Sequence, residues 1–221
     1  MKERPILFSG AMVKAILAGR KTQTRRVIRF PDDDYEYRPC HRPGSWGVQD
    51  DTWAFYDPAY PTDTAPTPVH CPYGGPGDRL WVRETHQIYA TDIDSKPDDR
   101  EFETGRGFSV NYKADGNGIM ELWDEDEGIV ERWRPSIFMP RWASRITLEV
   151  ANVRVQRVQD ISEEDALADG VDRTNTSLPG YAQERFRRLW ESINAKRGYG
   201  WDKNVWVWAI TFKRIDAKEG A

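Results

Sequence analysis

Two long stretches of this 221-residue chain, 31–70 and 91–131, hold most of its acid and show no sustained apolar period. Any compact fold must therefore be assembled from the segments between them. Residues 31–70 carry eight acids against two arginines, and residues 91–131 thirteen acids against four bases, for net charges of −6 and −9. The segments around them have the opposite sign. Residues 1–30 hold eight Lys/Arg and one acid, and residues 132–158 six Arg and one acid, for +7 and +5. The formal net charge of −4 is the balance of these blocks, too mild for a histone-like polybasic binder. A structureless loop of about 40 residues is unusual inside a compact domain. The aromatics Trp46, Trp53, Phe55, Tyr56 and Tyr60 imply that the first acidic stretch packs onto something. The expectation is one domain, 1–221, with insertions at about 31–70 and 90–131.

The remaining segments read as short elements. Pro5–Phe8 is an apolar run closed by Ser9-Gly10, which predicts a first strand. Met12, Val13, Ile16 and Leu17 recur at helical spacing, with Ser9 placed to cap and Gly19 to stop the helix. Arg25–Phe30 returns to an extended pattern, and Arg79–Thr85 alternates as a strand after the Gly77-Asp78 turn. A short hairpin is expected around Phe108–Lys113. Ile146–Val158 is the clearest strand region, and Ser162 with the acids after it opens a helix that ends at Asp169-Gly170. Tyr181–Asn194 places Ala182, Phe186, Leu189, Trp190 and Ile193 on one helical face, and Asn204–Ile215 closes the fold as an alternating strand. Strands at both ends with short helices between them predict an α+β fold built on a small, partly closed barrel.

No run approaches 18 apolar residues, and the N-terminal apolar stretch is too short for a signal peptide, so a soluble, cytoplasmic protein is expected. Two cysteines do not make a disulfide framework. There is no Walker loop, no G-x-G-x-x-G, no H-E-x-x-H and no paired C-x-x-C, which leaves NTP hydrolysis, dinucleotide redox chemistry and thermolysin-type proteolysis without support.

The segment with chemical content is Gly19-Arg20-Lys21-Thr22-Gln23-Thr24-Arg25-Arg26, directly after the first helix. On a strand Lys21 and Thr24 would point to opposite faces, whereas a turn after Gly19 brings them to one side. Neighbouring cations and burial both depress a lysine pKa, and a neutral lysine can take a threonine proton. The same residues also make a basic loop suited to phosphate. The order strand, helix, then this octet resembles the ASCH domain family of the PUA-like superfamily, whose signature is approximately G-x-K-x-x-E-x-R. Thr24 stands where many members have Glu, which resembles the bacterial N4-acetylcytidine amidohydrolases. Pro76-Gly77-Asp78-Arg79-Leu80 is similar to the family's G-D-x-L strand start, and Asp160–Gly170 to its acid-ended helix. With Pro5–Phe30, 76–85, 146–171 and 204–213, the resemblance covers about a third of the chain and neither insertion, and it is strongest to longer ASCH-type proteins of phages and prophages.

The resemblance implies a PUA-like α+β barrel flanked by short helices and recognising a nucleoside or single-stranded RNA in a bacterial host cell. It implies Lys21, Thr24 and Asp169 as a catalytic set that removes an N4-acyl group from cytidine. Arg20, Arg25, Arg26, Arg83, Glu84 and Arg145 are the candidate substrate-binding residues. No cofactor is expected. The adjacent pairs Cys40-His41 and His70-Cys71 leave zinc as an alternative for stapling the first insertion. Trp206 and Trp208 share one side of the last strand, as core or as a stacking platform. Rival readings are a non-catalytic RNA-binding module, an ASCH-type ribonuclease, and a phage accessory protein that makes protein contacts through its acidic insertions.

Overall fold

The computed structural model describes residues 1–30, 38–41, 52–56, 67–90, 99–119, 122–124, 128–130, 132–172 and 178–215. Its strands are β1 Glu3–Leu7, β2 Gln23–Val27, β3 Arg38–His41, β4 Thr52–Tyr56, β5 Thr67–His70, β6 Arg79–Arg83, β7 His86–Ala90, β8 Phe108–Tyr112, β9 Leu122–Asp124, β10 Gly128–Val130, β11 Thr147–Arg157 and β12 Trp206–Ile215. Its helices are α1 Gly10–Leu17, α2 Asp99–Thr104, α3 Glu163–Ala168 and α4 Tyr181–Asn194. The main sheet has the order β1-β6-β11-β12-β2, and the pairs β3-β4-β5, β7-β8 and β9-β10 form smaller sheets. The fold is thus mixed α+β, and among the described residues no closed barrel is present, because the main sheet ends at β1 and β2.

The chain falls into two compact units. One comprises Met1–Lys2, Arg20–Arg79 and Glu149–Lys213, the other Glu3–Gly19, Leu80–Leu148 and Arg214–Ala221. In the first unit β12 pairs antiparallel with β2, Thr24 opposite Ile210 and Arg25 opposite Ala209. Directly opposed residues share a face, so one face carries Gln23, Arg25, Val27, Val207, Ala209 and Thr211. Val27 and Val207 from that face join Val158, Ile161, Ala166 and Val171, together with Ala182, Phe186 and Trp190 of α4, in a single apolar cluster. The last three recur every four residues, the spacing that puts one stripe of a helix into a core. The other face carries Trp206 and Trp208. Trp208 meets Trp53 edge-on at 6.4 Å between ring centroids, and Phe55 meets Trp206 at 6.2 Å and Phe30 at 4.9 Å. The first acidic stretch therefore contributes a strand, β4, whose rings complete the core beneath β12. Both tryptophans serve packing. Trp46 and Tyr60 lie outside the described residues, as does the Tyr56 side chain.

In the second unit β8 pairs antiparallel with β7, His86 opposite Tyr112. The expected hairpin at Phe108–Lys113 is thus replaced by a pairing back to the strand before the second acidic stretch. Ile88, Met139 and Ala143 form the centre of this unit's apolar cluster, with Phe102, Phe108, Val110, Tyr112 and Trp142 around them. Gly105 sits at φ +74°, and a Cβ there would meet the Trp142 ring at 2.5 Å, so glycine is what lets the chain after α2 lie flat against that ring.

Candidate functional site

Lys21 lies just before β2, at the outer edge of the main sheet. Phe212 donates to the Thr22 carbonyl and Ile28 to the Trp206 carbonyl, so the even-numbered residues of this strand face β12. The Gln23 carbonyl then points off the free edge, and the Lys21 ammonium takes it at 2.8 Å. The same ammonium donates to the Asp169 main-chain oxygen at 2.7 Å and to Asp169 Oδ1 at 3.0 Å. Asp169 arrives there because α3 ends on it: Ser162 caps the helix by accepting from the Asp165 N–H at 3.0 Å, and Gly170 leaves in the left-handed region at φ +89°. The Thr22 N–H, which falls outside the ladder, donates to Ala168 at 2.8 Å and ties the end of α3 to the strand edge.

A second layer surrounds this pair. Arg25 donates through Nη1 to Asp169 Oδ2 and through Nη2 to Asp165 Oδ2 at 2.8 Å. Its guanidinium also stands over the Phe186 ring, 5.5 Å from the centroid. Asp165 receives Gln23 Nε2 at 3.2 Å and Arg154 Nη2 at 2.9 Å. Asp165 and Asp169 are one helical turn apart, while Gln23 and Arg25 are two apart on a strand, so both pairs present one face to the other. Lys21, Gln23, Arg25 and Asp169 are all buried. Arg26 is on the opposite face of β2, half-buried, and 5.8 Å from the Tyr73 ring centroid.

The electrostatics follow from burial and charge count. Burial lowers the Lys21 pKa, Asp169 opposes this, and the charges of Arg26 and Arg25 add to the lowering. Burial also lowers Arg26. Burial alone would raise Asp165, but the Arg154 hydrogen bond and the Arg25 charge outweigh it and hold that carboxyl below its usual range. Among the described residues, Lys21, Arg25 and Arg154 donate to the two carboxylates Asp169 and Asp165.

Of the residues singled out from the sequence, the structure brings Lys21, Arg25 and Asp169 into one hydrogen-bonded group. Thr24 is buried on the other face of β2 from Gln23 and Arg25, and its side chain has no hydrogen bond among the described residues. Arg20 is exposed. Arg83, Glu84 and Arg145 fall in the other unit. There Arg145 forks onto buried Glu84 at 2.9 and 3.1 Å, grips Asp115 at 2.7 and 2.9 Å, and stacks 3.9 Å above the Tyr112 ring centroid. Arg83 lies over the Trp81 ring at 4.5 Å. The guanidinium of Arg145 is thus committed to the protein's own carboxylates, a structural tie. Cys71 is buried and His70 is exposed, while the side chains of Cys40 and His41 lie outside the described residues. Among the described residues no cluster of His, Cys, Asp and Glu could hold a metal ion.

Sequence reasoning missed Asp165, Gln23 and Arg154. The signal was present as the four-residue spacing of Asp165 and Asp169 and the two-residue spacing of Gln23 and Arg25, but nothing local says that these two segments meet.

No family model matches the chain, and no curated protein matches it. The crystal structure of protein EF3133 from Enterococcus faecalis V583, described under the family name DUF984, matches at 14% identity with a TM-score of 0.25. The match covers 61% of this chain and spans 62% of that protein's length. No helix among the described residues is long and apolar enough to cross a membrane.

Proposed function

We propose that this chain is an ASCH-type protein of PUA-like architecture that recognises a nucleoside at the β2–α3 edge and removes an N4-acyl group from cytidine. The observation that supports this reading is a buried lysine held by a carboxylate, followed three residues later by a threonine whose side chain makes no hydrogen bond among the described residues. Thr24 is on the face of β2 opposite Gln23 and Arg25, so the reading requires the Lys21 amine to leave Asp169 and reach around the strand edge. Thr24 Oγ attacks the acyl carbonyl, and its proton passes to the neutral Lys21 amine. The C–N bond breaks, the cytosine amino group leaves with the proton returned by Lys21, and an acyl ester remains on Thr24. Water then hydrolyses that ester to the carboxylic acid and restores the hydroxyl. The lowered Lys21 pKa supports the neutral form, and exposed Arg20 and half-buried Arg26 supply charge for a nucleoside's polar groups. The test is incubation with N4-acetylcytidine and chromatographic detection of cytidine. Turnover no greater than that of Lys21→Ala sinks the reading.

One observation favours a non-catalytic alternative. The Lys21 ammonium already has three oxygen acceptors, and an amine acting as a base must release one of them to free its lone pair. If Lys21 serves only to fix the edge, the protein binds single-stranded RNA with salt-sensitive affinity and no turnover.

A further inference from the structure

The Lys21–Asp169 pair is only the inner part of a longer chain of contacts, and the outer part determines how the carboxylate is presented. Asp169 has two carboxylate oxygens with different owners: Oδ1 accepts from Lys21 and Oδ2 from Arg25. A carboxylate with one oxygen pinned cannot rotate to give both to the lysine. Arg25 is itself fixed on three sides. One nitrogen is taken by Asp169, the other by Asp165, and its flat face leans on Phe186. Asp165 in turn is held by Gln23 and Arg154, and its backbone N–H by the Ser162 cap. Only a planar guanidinium bridges two carboxylates in this way, because an ammonium acts as a single point charge.

We propose that Arg25, anchored by Asp165, is a positioning residue that orients Asp169 so that one carboxylate oxygen and the main-chain oxygen face Lys21. This rests on the reading of Lys21 as the working amine but does not require the substrate to be an acylated cytidine. Among the described residues, the charges that act on Lys21 are those of Asp169 at the end of α3 and of Arg25 and Arg26 on β2, with Asp165 and Arg154 one contact further out. Removing Arg25 takes away a cation that disfavours the protonated lysine and frees both oxygens of Asp169 for it. The two consequences have the same sign, and both favour the ammonium.

The experiment compares the parent with Arg25→Gln, Arg25→Lys and the surface control Arg188→Gln. Lys21 is followed by carbon-13 NMR of labelled lysine, assigned with Lys21→Arg, and hydrolysis of N4-acetylcytidine is measured across pH. Arg25→Gln is expected to move the Lys21 titration to higher pH. It moves the acid limb of the rate profile with it and lowers the rate below that limb roughly tenfold per pH unit of displacement. Arg25→Lys restores only part of the shift, because it returns the charge without the bridge. Arg188→Gln leaves the titration in place. An Arg25→Gln protein that is folded by circular dichroism, with the Lys21 titration unmoved, overturns the proposal, as does complete restoration by Arg25→Lys. If Arg25→Gln does not fold, Arg25→Lys alone decides: a titration identical to the parent's refutes positioning by the bridge. A parent without turnover whose Lys21 titration nevertheless shifts in Arg25→Gln refutes the hydrolase reading and leaves the positioning role standing.

Discussion

Asp169 is the shared partner of two buried basic side chains, since Lys21 and Arg25 each donate to it and each is almost completely enclosed. Replacing it with asparagine keeps the shape but leaves those charges facing an amide, and the loss of one partner from a buried ion pair costs about 3–5 kcal/mol. Against a total stability of roughly 5–15 kcal/mol that is a large fraction. Asp169→Asn is therefore expected to lower the urea midpoint sharply, and a midpoint equal to the parent's would show that the pair is hydrated in solution. His86 supplies a second prediction, about pH. It is completely buried, its Nδ1 lies 3.0 Å from the Glu84 carbonyl, and burial lowers its pKa from 6.5. A depressed histidine contributes stability that is complete above pH 6.5 and is lost as pH falls through the folded-state value. Glu84 acts in the opposite sense. Burial raises its pKa from 4.5 despite Arg145, so its contribution is complete below pH 4.5 and is lost as pH rises through the raised value. Across the range from pH 7.5 to 5 the two groups therefore act on stability in opposite directions. His86→Asn keeps a donor near the Glu84 carbonyl and removes the titration. Its thermal midpoint, lower overall, is expected not to fall on acidification across that range. A variant that loses stability with acid as steeply as the parent would place the titrating group elsewhere.

At the scale of elements, the helix α3 is short but carries both carboxylates of the site, and its N-terminus depends on one side chain. Ser162 Oγ accepts from the Asp165 N–H, and removing such a cap costs about 1 kcal/mol. Ser162→Ala is expected to cost that much in chemical denaturation. It should also raise amide exchange at Asp165, one of whose carboxylate oxygens holds Arg25. Exchange unchanged at Asp165 would mean that the carboxylate contacts alone fix the helix. This element was legible in the sequence, as were α1, α4, β11 and β12, because each has a cap or a period long enough to register. The strands β3, β4 and β5 were not. They have four or five residues each, they include Pro39 and Pro68, and they lie within a stretch dominated by acid. Their pairing is decided by β4's Trp53 and Phe55 reaching the rings of β12, which is a tertiary contact. The candidate site divides in the same way. Gly19–Arg26 stood out as a local cluster, and Asp169 entered through a resemblance of its helix, but Lys21 and Asp169 are 148 positions apart and no spacing announces their contact. Arg25 was read as a substrate ligand. In the fold its parity on β2 turns it toward α3, where carboxylates already occupy it.

At the scale of the whole molecule, charge is distributed in blocks, and the consequence is a matter of ligand size. The site residues Lys21, Arg25 and Arg26 come from the +7 segment and Arg154 from the +5 segment, while the chain as a whole has a net charge of −4. A lone nucleoside carries no phosphate and responds only to the local field inside a site. A long polyanion spans more of the molecule and also responds to the net charge of −4, to the extent that salt leaves it unscreened beyond about 10 Å at 0.1 M. For a protein with a uniformly basic surface, added salt weakens binding of long strands steeply, because each phosphate contact releases counterions. With a net charge of −4 and its basic blocks confined to two segments, this chain is expected to show a shallow slope of log affinity against log salt that does not grow with strand length. Fluorescence anisotropy with labelled 5-nucleotide and 30-nucleotide RNA, between about 50 and 200 mM salt, measures both slopes. Near-equal, shallow slopes together with nucleoside turnover that ignores salt are the expected outcome. A slope for the longer strand several times that for the shorter would mean that the acidic blocks do not act on the ligand at all, and the basic segments would then have to be read as a continuous track for nucleic acid.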